Sequence, residues 1–131
     1  LKHDNGFSVE VSRHDKSHTY TDEWGEGRFG WCVYVYIGEK HPAHDLIDMT
    51  PKVYDGREYT NTSQNILSEM PLHGGCTWLS KECKSIKVGC DYGHLYDDRY
   101  AHMETTEDAA SIFRDADALF DWAKNFKESI E

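Results

Sequence analysis

The sequence predicts an α+β fold, an antiparallel sheet with a C-terminal amphipathic helix packed on one face. Three observations carry this. Trp31 to Ile37 is an unbroken run of aromatic, β-branched and Cys residues, the composition of a central strand. Leu72–Leu79 and Ser85–Asp91 read as the two arms of a hairpin. Ala116, Leu119, Phe120, Ala123, Phe126 and Ile130 recur at the i, i+3, i+4, i+7 spacing of one helical stripe. A length of 131 residues suits a single domain over residues 1–131.

Taken in order, Phe7, Val9 and Val11 alternate with Ser8, Glu10 and Ser12, which predicts a half-buried strand. From Arg13 to Gly30 the chain turns polar and Gly-rich, the pattern of a long, partly extended loop. Its His14 and His18 would stand roughly 13 Å apart in extended chain, too far to share a metal. In the central strand Trp31, Val33, Val35 and Ile37 line one face and Cys32, Tyr34 and Tyr36 the other, with both expected to be covered. Gly38-Glu39-Lys40-His41-Pro42 ends it as a loop, and His41 and His44 form an H-x-x-H pair.

Asp45 to Gln64 carries turn chemistry at Thr50-Pro51 and Asp55-Gly56 and reads as a long connection with room for a short helix. Ile66, Leu67, Met70 and Leu72 lead into the hairpin, and Leu95 to Thr105 reads as loop. Asp115 is placed to cap the final helix, with an earlier start near Thr106, ahead of Glu107 and Asp108, as the alternative. Lys124 and Lys127 suit the helix C-terminus.

Lys and Arg total 14 against 24 Asp and Glu, a net charge of −10. That balance disfavours phosphate-backbone binding, so no direct nucleic-acid partner is expected. It suits a cation binder, a protein that shows negative charge to a basic partner, or charge kept for solubility. No apolar run approaches the ~18 residues of a membrane span, and no charged-then-apolar leader precedes the first strand. Cys32, Cys76, Cys83 and Cys90 include no C-x-x-C pair, so zinc-finger spacing is absent. These features predict a soluble, cytoplasmic protein with free, mostly buried thiols. A Cys76–Cys90 disulfide is the alternative, since both fall on one hairpin face.

The hairpin concentrates the unusual residues. Cys76, Trp78, Ile86, Val88 and Cys90 meet on a core face if paired positions sum to an even number. His73, Gly75, Thr77, Lys87, Gly89 and Asp91 then share the other face, and a loop centred near Glu82 sets His73 opposite Asp91. A His–Asp pair orients an imidazole and raises its basicity. His73, Asp91 and His94 are two imidazoles and a carboxylate, a set that transition metals accept, so a divalent metal is the cofactor these residues suggest. Gly74 and Gly75 would let a ligand approach the backbone, and His41 is expected to join from the strand-end loop. The structural alternative is a Gly-Gly bend beside an ordinary cross-strand pair. No G-x-S-x-G, P-loop or H-E-x-x-H motif is present, and thiols on a core face disfavour the thiolate, so no reaction class follows.

Trp31…Tyr36, Gly38-Glu39-Lys40-His41-Pro42, His73-Gly74-Gly75-x-Thr77, Gly89-x-Asp91-x-x-His94 and Arg114-Asp115, in that order, span roughly residues 31–126. This order resembles a family of small uncharacterised proteins encoded by phages and their bacterial hosts, with "GHP", "HGG-x-T" and "D-x-x-H" motifs. Tyr92 stands here where that family tends to have Cys, and Leu95, Tyr96, Asp97 and Asp98 replace small residues. The resemblance implies a phage-type accessory protein and a site location, without a reaction. The expected function is small-ligand or metal binding at His73, Gly74, Gly75, Thr77, Asp91, His94 and His41. The alternative uses Asp97 to Asp121, with eight carboxylates and two arginines, as a surface that blocks a basic host protein.

Overall fold

The computed structural model describes residues 2–4, 6–15, 29–92, 103 and 105–126. The chain forms β1 (Lys2–Asp4), β2 (Phe7–Asp15) and β3 (Phe29–Gly38), then a 3-10 turn at His44–Leu46. A small separate hairpin follows, β4 (Lys52–Tyr54) and β5 (Arg57–Tyr59), and then one helical turn, α1 (Asn65–Ser68). The edge hairpin β6 (Trp78–Glu82) and β7 (Ser85–Asp91) precedes the long helix α2 (Ala110–Asn125). Five strands make one antiparallel sheet in the order β1-β2-β3-β7-β6. The α+β architecture read from the sequence is the one observed.

Alternation places the core. Val9, Val35 and Val88 stand in one row across β2, β3 and β7, and Phe7, Ile37 and Ile86 in the next. Over them α2 lays Ile112, Ala116, Leu119 and Ala123, all buried. Phe120 is half-buried against Phe7, ring centroids 5.1 Å apart. The stripe therefore starts a turn earlier than expected, and Asp115 is not its cap. Thr105 and Asp108 form the start signal instead: the Asp108 amide donates to Thr105 Oγ1 (3.1 Å) and the Thr105 amide to Asp108 Oδ2 (3.3 Å). This reciprocal pair closes the turn that leads into α2, next to the alternative start at Thr106, while Ala109, the N-cap of α2, has no side-chain cap.

Three expectations change. Arg13–Asp15 and Phe29–Gly30, expected as loop, are paired strand, with Asp15 opposite Phe29. Tyr34 and Tyr36 are half-buried rather than covered, because α2 packs on the opposite face of β3. The third change is the hairpin register. Its first arm is strand only from Trp78, and Cys83-Lys84 is a two-residue turn between Glu82 and Ser85, with Cys83 at φ 54°. A two-residue turn makes the paired positions sum to an odd number, so Trp78 faces Gly89 and Leu79 faces Val88. One residue of slip turns every side chain of the arm over. Leu79 takes the core side, and Trp78, expected inside, stands 48% exposed on the other face.

The loop expected over residues 16–28 and 95–102, and the places of Lys127 and Ile130 at the helix end, lie outside the described residues. Among the described residues no helix is long and apolar enough to cross a membrane. Leu119→Ala is expected to cost about 3–4 kcal/mol and Phe120→Ala, only half-buried, about 1–3 kcal/mol. Urea denaturation checks the order; a larger loss at Phe120 would contradict this packing.

Candidate functional site

Two of the sequence motifs prove to be fasteners for α2. Gly38 ends β3 where its amide bonds to Gly6 O at 2.8 Å, and a Cβ there would sit 2.9 Å from that oxygen. The loop then drives His41 inward, to 5% exposure. His41 Nδ1 accepts the Ala43 amide (3.0 Å), so Nε2 carries the proton and donates to Ala123 O on α2 (2.8 Å). Phe7 and Phe126 flank the ring at 5.5 and 5.8 Å. Both nitrogens are thus engaged within the protein. Asp91 pairs with Cys32, at the far end of β3 from Gly38, about 20 Å of extended strand away. His41 therefore does not join a site around Asp91, contrary to expectation. His44 is engaged too: Nδ1 meets Asp45 Oδ1 at 2.9 Å and Nε2 meets Lys81 Nζ at 3.3 Å, so the H-x-x-H pair is not a shared metal site.

At the Gly-Gly turn the Gly75 amide bonds to Leu72 O (3.0 Å), with Gly74 at φ 71° and Gly75 at φ 89°. Two consecutive left-handed residues make a sharp bend that side chains with a Cβ disfavour. The bend lays the His73 ring flat on Tyr92, centroids 4.3 Å apart and planes 12° apart. Tyr92, buried at 4% exposure, donates its hydroxyl to Asp115 Oδ2 at 2.6 Å. Neighbouring strand residues face opposite ways, so Asp91 points away from Tyr92, toward the Cys32 side. The expected cross-strand pair of His73 with Asp91 does not form, because the two-residue turn sets position 76 across from 91. Gly74 and Gly75 shape this bend, and Thr77 is exposed, its amide bonded to Gly89 O (2.9 Å). His94 lies outside the described residues, and with it the His73–Asp91–His94 metal set. Among the described residues no three His, Cys, Asp or Glu side chains gather as a metal site.

The outer face of the hairpin holds what the sequence reading missed. Across β2, β3, β7 and β6, Glu10, Tyr34, Gly89 and Trp78 form one row, and Ser8, Tyr36, Lys87 and Ser80 the next. Lys87 Nζ lies 4.2 Å from the centre of the Tyr34 ring, 5.5 Å from Tyr36 and 5.6 Å from Trp78, with Glu82 Oε1 at 3.9 Å. A Cβ on Gly89 would run into the Tyr34 ring, so glycine is what lets that ring lie across β7. Tyr36 donates to Glu10 Oε1 (3.2 Å), and Trp78 Nε1 donates to Ser80 Oγ (2.9 Å). Burial, reinforced by the hydrogen bond with Cys32, holds the Tyr34 phenol well above its usual pKa, and burial raises Tyr36 as well. Both hydroxyls stay protonated donors. Past Tyr36 the face opens into a depression of about 430 Å³, lined also by Ser8, Ser85, Lys40 and Lys84.

All four cysteines are free. Burial pushes the Cys90 thiol up to about 12, and burial raises Cys32 and Cys76 too. None of these three supplies a thiolate nucleophile near neutral pH. Cys83 departs from the expected burial, since it sits exposed on the hairpin turn. No protein-family model, curated protein or solved structure matches the chain. With a thiol reagent and no reductant, Cys83 should react fast, and Cys32 and Cys90 only on unfolding. Two thiol equivalents missing even in denaturant would show a disulfide and contradict this.

Proposed function

We propose that the protein binds a small, flat, polar ligand on the outer face of the β6–β7 hairpin. The observation that carries this is Trp78. A half-exposed indole contributes little to the core, yet this one is held by Ser80 and borders Lys87, Tyr34 and Tyr36. Aromatic faces fixed in advance lose little freedom on binding, which is where affinity is usually lost. Lys87, Glu10 and the tyrosine hydroxyls supply polar partners, and the depression beyond Tyr36 supplies room. The likeness of the His73-Gly74-Gly75-x-Thr77 and Asp91-x-x-His94 motifs to phage-type accessory proteins supports the same hairpin. It also keeps a divalent metal near His73 as a second ligand class, without Asp91, whose side chain points the other way.

A reading of another kind has its own support. Glu107, Asp108, Asp117 and Asp121 are exposed on α2 and its leading turn, a surface suited to a basic protein partner.

A thermal-shift screen over nucleotides, mono- and disaccharides and divalent metals separates these. The ligand reading expects at least one organic compound to raise the melting temperature, with Trp78→Ala weakening its binding about tenfold. Loss of a metal-induced shift in His73→Ala would instead move the site to the Gly-Gly turn. No shift with any compound, or shifts indifferent to both substitutions, would overturn the proposal.

A further inference from the structure

The β4–β5 hairpin is exposed at all six strand positions. Its Asp55-Gly56 turn has both residues at positive φ, 53° and 75°, as a type I′ turn requires, so the arm is preformed. Lys52 pairs with Tyr59 and Tyr54 with Arg57, which puts two cations and two phenol rings on one face. Tyr54 is 78% exposed and Tyr59 52%. Two strands alone are marginal in water, and this pair has no layer packed on it in the described structure. Asp55 sits in the turn and Glu58 on the opposite face, so the arm is neutral overall, but the face with Lys52 and Arg57 is cationic and suits an acidic counterpart.

Such a counterpart lies on the same chain. An open groove of about 610 Å³ runs between the end of α1 and the last turns of α2. Trp122 and Phe126 wall it, ring centroids 5.0 Å apart, and Glu69 and Asp121 line it with carboxylates. Carboxylates beside ring faces are what a Lys or Arg side chain seeks, through charge-assisted hydrogen bonds and cation–π contact. Pro71, also in the lining, gives a tyrosine ring an apolar surface. The arm does not fill its own chain's groove, since all its positions are exposed.

We infer that the arm of one copy docks in the α1–α2 groove of a second copy. Lys52 and Arg57 meet Glu69 and Asp121, and Tyr54 and Tyr59 lie against Trp122, Phe126 and Pro71. Glu69 follows Tyr59 by ten residues, so arm and groove are close along the chain. A two-fold pairing then makes the contact twice. The net charge of −10 on each copy opposes approach, but a screening length of about 8 Å at physiological salt confines the deciding terms to the contact.

Sedimentation velocity of the full chain at physiological ionic strength, from low to high micromolar concentration, tests this. A concentration-dependent dimer is expected. Lys52→Glu with Arg57→Glu should weaken it about tenfold or more, and so should Glu69→Lys with Asp121→Lys. An equal mixture of these two double variants should associate again, because each reversed arm then faces a reversed groove. Circular dichroism of each variant keeps misfolding from passing as lost contact. A chain monomeric throughout the range, a dimer indifferent to both reversals, or a mixture that stays monomeric overturns the inference, and binding of a free peptide of residues 52–59 would not rescue it.

Discussion

The two-residue turn at Cys83-Lys84 is the constraint that decides which hairpin side chains reach the outer face of the sheet. With Glu82 opposite Ser85, every later pair in the hairpin is set, and Trp78 must stand beside Gly89. The same register gives the core Leu79 and leaves the larger indole outside. The helix lies over β2 and β3, away from the β6 edge, where a leucine fills the shallow core side. On the outer side Gly89 makes room for Tyr34, Tyr34 lies under Lys87, and Lys87 reaches Trp78. Shift the turn by one residue and Trp78 leaves this face, while Tyr34 keeps its place beside Gly89 and Lys87 through the β3–β7 register.

A second set of interactions holds the helix that roofs the core. His41 reaches Ala123 O near the C-terminal end of α2, and Tyr92 reaches Asp115 in its middle. Trp31 Nε1 donates to Met103 O ahead of it, at 3.0 Å. Each ties residues far apart in sequence, and each contributes on the order of 1 kcal/mol net. Removing one partner costs more, since it strands a buried polar group. The strand-end loop and the turn at His73 thus fasten α2 to the sheet.

The fold was legible because its signals are periodic. The run from Trp31 to Ile37 and the helical stripe through Leu119 and Ala123 each repeat over several residues, whereas the β4–β5 hairpin around Asp55-Gly56 was expected only as turn chemistry in a long connection. Which hairpin residues share the outer face was not legible. Cys83-Lys84 carries no Gly, Asn or Asp to mark a two-residue turn, so the parity of the hairpin had to be guessed from hydrophobicity, and Trp78 misled that guess. Asp115 looks like a cap in sequence but lies inside α2, where its carboxylate accepts the Tyr92 hydroxyl. His41 carries no local sign of burial, because its partners, Ala43 and Ala123, are backbone atoms.

The central claim is therefore a register, and a register can be measured directly. In a NOESY spectrum of the labelled protein, cross-strand backbone contacts should link Trp78 with Gly89 and Leu79 with Val88. The Trp78 indole should show contacts to the Lys87 side chain. Contacts linking Trp78 with Ile86 would mean an even register with the indole in the core, and the outer-face site would not exist.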